Sequence, residues 1–265
     1  MTTIAPSRMI FSRSLLALGA VGLALTFAPQ RASAAAAAAE PTIEELLRAS
    51  DDLTRGKSSK GKISMNVKTA RWDRSMTMEV WSEGTEKSLI KILSPAKEKG
   101  TATLKVDDNI WNYLPKVDRT IKVPASMMSG SWMGSHFSND DLVKESRYTD
   151  DFKCKFDKKP ADNPEKLYVV ECIPNADAAV VWGKVVLKAR PDLIPTAALY
   201  YDEKGELVRT MTFSDVTEMG GRKLPRKMTL TVTDKPEEFT EVIYESIEFD
   251  LKVPARTFTL QALKR

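Results

Sequence analysis

At 265 residues, 42% of them hydrophobic and 29% charged, the chain has the size and composition of a globular protein able to bury a substantial core. Its 40 lysines and arginines stand against 36 acids, a formal charge of +4, which lacks the concentrated basic footprint of a nucleic-acid binder and sets that class aside. One histidine and two cysteines are too few for the usual zinc sites.

Arg8 and Arg13 precede an apolar run from Leu15 to Phe27, followed by Pro29 and by Ala32, Ser33 and Ala34. This is the order of a secretory signal peptide with a small-x-small cleavage site, and the run is short for a membrane span. Residues 1–34 are therefore expected to be removed, 35–40 to form a disordered tail, and 41–265 to fold as one domain. Three arginines and no acid leave with the signal, so the formal charge falls from +4 to +1.

Pro41 to Leu53 reads as a helix: Ile43, Leu46, Leu47 and Leu53 form one apolar stripe, Pro41 suits a first-turn position and Gly56 ends it. Period-two alternation then begins. Ile63, Met65 and Val67 face one way, as do Met76, Met78 and Val80, and Leu89 to Leu93 is a more continuous apolar run. Thr101 to Val106 and Ile110 to Leu114, joined by Asp107, Asp108 and Asn109, form a hairpin.

At Met127 to Leu142 the alternation stops. Met127, Met128, Trp132, Met133 and Phe137 sit among Gly130, Gly134 and four serines, the composition of a flexible apolar flap or of a buried connection closing one end of a core. Ser138 to Leu142 looks like a helix start, with Ser138 as cap and acids in the first turn. Tyr148 to Phe156 and Leu167 to Ile173 make a further hairpin, followed by Trp182 to Ala189, Thr196 to Tyr201, Val208 to Phe213, Lys227 to Thr233 and Val242 to Phe249. About eleven strands with frequent turns and few helices predict a meandering antiparallel sheet that curls or closes. Cys154 and Cys172 fall in consecutive strands of an exported chain, where a disulfide is expected; two buried free thiols are the alternative.

Any Ser-His-Asp hydrolase here would have to use His136. Ser131, Ser135 and Asp140 are near it in sequence, but GSWMGSH is not the G-x-S-x-G nucleophile elbow. Asp107, Asp108, Asp140, Asp141, Asp150 and Asp151 read as turn and cap residues, not as metal ligands, and no phosphate-binding glycine loop or dinucleotide fingerprint is present. What remains is apolar surface, with eleven methionines and five tryptophans, able either to line a cavity for hydrophobic ligands or to fill a core.

WNYLPKVDRTIKVP (111–124), MMSGSWMGSHFSNDDL (127–142), WGKVVLKAR (182–190) and FDLKVPARTFTLQALKR (249–265) resemble the outer-membrane lipoprotein-sorting family, the LolA-like periplasmic proteins, over residues 60–265. The resemblance implies a mainly β fold: a single incomplete antiparallel β-barrel with an N-terminal helix and a helical lid. It also implies a non-catalytic, cofactor-free, monomeric periplasmic carrier. That carrier would take acyl chains of lipoproteins or other lipids from an inner-membrane transporter, ABC-type or RND-type, towards an outer-membrane acceptor. One departure is His136, at a position where the family pattern carries an acid. On this reading Val67, Met78, Val80, Ile90, Ile92, Trp111 and Tyr113 line the cavity, and Met127, Met128, Trp132, Met133 and Phe137 form the lid. The competing readings are a lipid-ester hydrolase using His136 as base and an envelope scaffold that binds protein partners.

Overall fold

A computed structural model of the protein describes residues 40–144, 148–178 and 180–264; the signal peptide and nearly all of the tail expected from the sequence lie outside the described residues. The alternating segments form one antiparallel sheet of two consecutive meanders. The first comprises β1 (Ser58–Lys68), β2 (Asp73–Glu83), β3 (Lys87–Ser94), β4 (Ala102–Val106), β5 (Asn109–Leu114) and β6 (Arg119–Lys122). The second comprises β7 (Phe152–Lys158), β8 (Tyr168–Pro174), β9 (Lys184–Ala189), β10 (Pro195–Tyr201), β11 (Leu207–Met219), β12 (Arg222–Val232) and β13 (Lys235–Phe249). They join where β1 pairs with β13, Ser59 opposite Phe249 and Lys68 opposite Phe239, with a register shift at Lys62/Ile63. β6 and β7 are left as the two edges of an unclosed sheet, and the chain between them contains the methionine-rich flap segment.

Thirteen strands replace the expected eleven or so. β6 is four residues of the sequence RTIK, too short for a periodicity signal. Tyr148–Asp151, expected as strand, is a helical turn; it brings the rings of Tyr148 and Phe152 to 5.6 Å, closer than four residues of extended chain allow.

Register explains the core. Met65 lies opposite Met76, Ile63 opposite Met78, and Met78 opposite Ile92, so one face of the first meander is apolar; it packs with Val170, Val185, Leu187, Met211 and Leu230 of the second. Helix α1 (Ile43–Asp52) adds Leu46 and Leu47 to this cluster. Thr42, not Pro41, begins it: Glu45 N–H donates to Thr42 Oγ1 at 3.1 Å and Thr42 N–H to the Glu45 carboxylate at 2.7 Å, a reciprocal cap. The other face of the first meander is also apolar. Leu89, Ala102, Leu104 and Tyr113 are covered there by Phe258 and Leu263 from two 3-10 turns, Ala255–Phe258 and Ala262–Lys264.

Cys154 and Cys172 stand directly opposite in the β7–β8 pair and are joined by a disulfide across a sequence separation of 18. Since β7 is an edge strand, closing this loop in the unfolded chain contributes about 3 kcal/mol on the chain-entropy model. The Cys154→Ala/Cys172→Ala double variant is expected to lose about that amount in urea unfolding, with a somewhat steeper slope because its unfolded chain is less compact, and the intact mass of the native protein to lie two hydrogens below the reduced sequence mass.

Candidate functional site

The segment expected to be a flap is a plug with a fixed backbone. Trp132 N–H donates to the Phe137 carbonyl at 2.7 Å, Ser131 pairs with Ser138 as an isolated bridge, and Asn139 Nδ2 donates to the carbonyls of Met127 and Gly130. Met133 and Gly134 take left-handed conformations (φ 52° and 71°); the glycine does so without strain. Helix α2 (Asn139–Lys144) starts as the sequence predicts. Asp141 N–H donates to Ser138 Oγ and Ser138 N–H to the Asp141 carboxylate. Apart from this helix and a 3-10 turn at Ala125–Met127, the segment is not helical.

Trp132 and Phe137 point into the sheet's concave face and are only 5% and 8% exposed. The indole Nε1 donates to Thr103 Oγ1 on β4 at 3.1 Å. Two further ties hold the plug to the first meander and to β13: Arg74 donates to the Met133 carbonyl at 2.9 Å, and His136 N–H donates to Thr240 Oγ1 at 3.0 Å.

Behind the plug lies an apolar cavity of about 230 Å³. Of the residues expected to line it, Val80, Ile90, Trp132 and Phe137 do so. Val67, Met78 and Ile92 lie on the same face but are packed solid in the core, at most 2% exposed. Met133 packs against that core, and Met128 is half-buried. Met127 is 59% exposed and points away. Trp111 and Tyr113 are corrections. Their strand pairs with β4 so that Trp111 opposes Leu104 and Tyr113 opposes Ala102, which puts both on the outer face under Phe258 and Leu263; one residue of parity decides the face. The remaining walls come from α1 (Leu46) and from the second meander: Ala198, Met211, Phe213, Met228, Val242 and Tyr244. The same alternation marked them in the sequence.

A second cavity of about 270 Å³ adjoins the first, sharing Tyr148, Tyr200 and Met211 as walls. Its floor is an ion pair. Arg209 on β11 donates through both terminal nitrogens to Asp141, at 2.8 and 2.6 Å. Its guanidinium lies 4.4 Å from the Trp182 ring centroid and 4.5 Å from that of Tyr200. Burial alone would push the Asp141 carboxyl up, but the Arg209 hydrogen bonds and charge, together with the Ser138 donors, hold it below the usual carboxylate range. This pair fastens α2 to the second meander, and a link across 68 residues is not foretold by any local pattern.

His136 is committed elsewhere. Its ring nitrogens pair with Thr240 Oγ1 at 2.8 Å and the Glu238 carboxylate at 3.2 Å. The hydroxyl beside it belongs to the fully buried Thr240, and Ser131 and Ser135 are turned instead to the carbonyls of Ser135 and Trp132. Among the described residues no cluster of three or more His, Cys, Asp or Glu is arranged to hold a metal.

Solved structures match this fold of an unclosed antiparallel sheet around an apolar cavity. An outer-membrane lipoprotein-sorting protein domain from Vibrio parahaemolyticus is 23% identical, with 84% of this chain and 96% of that one covered and a TM-score of 0.68. A DUF1329 family protein from Desulfovibrio piger is 23% identical over 82% and 96% of the two chains, at 0.73. A LolA superfamily protein from Nitrosomonas europaea is 20% identical over 84% and 99%, at 0.69. The chain belongs to a family described as "-like: Uncharacterized protein", whose model matches residues 84–265. No curated protein matches the chain.

Because Asp141 is depressed, its pairing stabilises the fold above the ordinary carboxylate pKa of about 3.9 and is lost as the pH falls through its lowered folded value. Asp141→Asn leaves a buried guanidinium without its counter-charge and is expected to cost about 3 kcal/mol at neutral pH. The cost should shrink as the pH falls through the lowered folded pKa of Asp141, where the parent carboxylate itself protonates. Chemical denaturation of both proteins across that range checks it.

Proposed function

We propose that this protein is a non-catalytic periplasmic carrier that shields acyl chains of lipoproteins or other lipids in the cavity behind Trp132 and Phe137. In this reading it is exported by its signal peptide and acts as a monomer. It receives cargo from an inner-membrane transporter, ABC-type or RND-type, and passes it towards an outer-membrane acceptor. The observation that carries the proposal is an apolar cavity between the two meanders, with Trp132 and Phe137 of the connecting loop among its walls; a filled core leaves no such space. In this reading those two side chains act as its stopper. The Vibrio parahaemolyticus neighbour, an outer-membrane lipoprotein-sorting domain, supports the same reading by fold.

Size sets the mechanism. Ligand pockets typically measure roughly 300–1,000 Å³, so the cavity of about 230 Å³ admits part of a long chain only. Entry of the rest displaces Trp132 and Phe137, a shift driven by the cargo's preference for the open state. Each buried methylene contributes about 0.8 kcal/mol, and the cost of breaking the Trp132–Thr103 bond and exposing the two rings is subtracted from it. The result is an affinity moderate enough for release.

Two variants with opposite effects test this. Trp132→Ala is expected to lower stability by about 3 kcal/mol while tightening a fluorescent long-chain acyl probe about tenfold, about 1.4 kcal/mol, because the stopper no longer has to be displaced. Ala198→Trp fills the cavity and should abolish probe binding in a protein that still melts cooperatively. A probe affinity that neither substitution moves would remove the cavity from the function.

A further inference from the structure

Apolar surface outside the cavity is unevenly distributed. Of the nine exposed large apolar side chains among the described residues, four lie between Leu114 and Met127: Leu114, Val117, Ile121 and Met127. Val117 and Met127 are each 59% exposed. Interleaved with them are Lys116, Arg119 and Lys122, all exposed. The segment's one acid, Asp118, accepts from Lys264 Nζ at 2.8 Å and from the Tyr113 hydroxyl at 3.1 Å, so its charge is already balanced. Register aligns the patch. Leu114 opposes Arg119 and Asn112 opposes Ile121, so Leu114, Arg119 and Ile121 share the face that runs inward through Asn112 to Thr103, the partner of Trp132.

We infer that this β5–β6 edge, with the turns that flank it, is a docking surface for an anionic lipid bilayer, the apolar side chains entering the interface and Lys116 and Arg119 meeting lipid phosphates. Charge complementarity and dispersed apolar residues favour a bilayer over a protein partner. A protein interface centres on a buried aromatic or arginine anchor in a pocket, and the local aromatic, Trp111, is on the opposite face with Lys122 Nζ over its ring at 5.7 Å. Short, lysine-bearing edge strands also guard against strand pairing between chains, which accounts for Arg119 and Lys122. It does not account for Val117 and Met127, which stand outside the strand. The inference is independent of what the cavity carries.

The test is sedimentation of the mature chain with vesicles of phosphatidylcholine alone and with vesicles in which part of it is replaced by phosphatidylglycerol. Binding to the second kind only, weakened by salt, is expected. It should fall about tenfold or more in Lys116→Glu/Arg119→Glu and by a similar factor in Val117→Ser/Met127→Ser, with unchanged melting curves for these surface variants. Three results would overturn the inference. One is no vesicle binding. Another is binding that both patch variants retain and that the cavity-filling Ala198→Trp abolishes, because the cavity would then be responsible. The third is self-association of the chain that Ile121→Pro breaks, which would mark the edge as a strand-pairing site.

Discussion

The whole molecule hangs on the pairing of β1 with β13. Each meander alone has an apolar inner face and nothing to set against it, and α1 is too small to cover either. Pairing Ser59 with Phe249 and Val67 with Thr240 joins them edge to edge, so that the twist of the continuous sheet turns the two apolar faces towards each other around Met65, Met78, Met211 and Leu230. The same pairing leaves β6 and β7 unpaired, and the loop between them becomes the place where the interior is closed. Closure by a loop is weaker than closure by a hydrogen-bonded seam.

The loop is held by unlike bonds on its two sides. Towards the first meander and β13 it is tied by neutral or singly charged hydrogen bonds: Trp132 to Thr103, His136 to Thr240, Arg74 to Met133. Towards the second it is tied by a buried bidentate ion pair between Asp141 and Arg209, whose guanidinium lies against the adjoining rings of Trp182 and Tyr200. Removing one partner of such a pair is far costlier than removing one neutral hydrogen bond. Helix α2 is thus the more strongly held end of the loop and the Met127–Phe137 stretch the more weakly held one.

What the sequence made legible follows from range. Period-two alternation is local, so the strands, the antiparallel meander and most of the core could be read from Ile63, Met65, Val67 and their counterparts. The Ser138 cap was readable too, because both of its partners lie within four residues. The face of a strand relative to a distant cover was not. Trp111 and Tyr113 alternate as correctly as Val80 and Ile90, and only the packing of Phe258 and Leu263, far along the chain, tells which side they occupy. β6 was too short to show a period. The Asp141–Arg209 pair had no signal, since one arginine on a strand and one acid in a helix's first turn are each ordinary by themselves. Composition pointed to the stopper, but residue types could not distinguish a loose flap from a loop pinned by its own backbone.

The outer cover made by Phe258 and Leu263 bears on when this chain can fold. During synthesis β1 to β6 emerge first, yet neither face of that meander can be buried early: the inner face waits for β13 and the outer face for the turns at Ala255–Phe258 and Ala262–Lys264. The native fold is thus out of reach until nearly all of the residues described here have been made. A polypeptide that stays unfolded so long would remain competent for threading through a membrane pore, as the export proposed above requires.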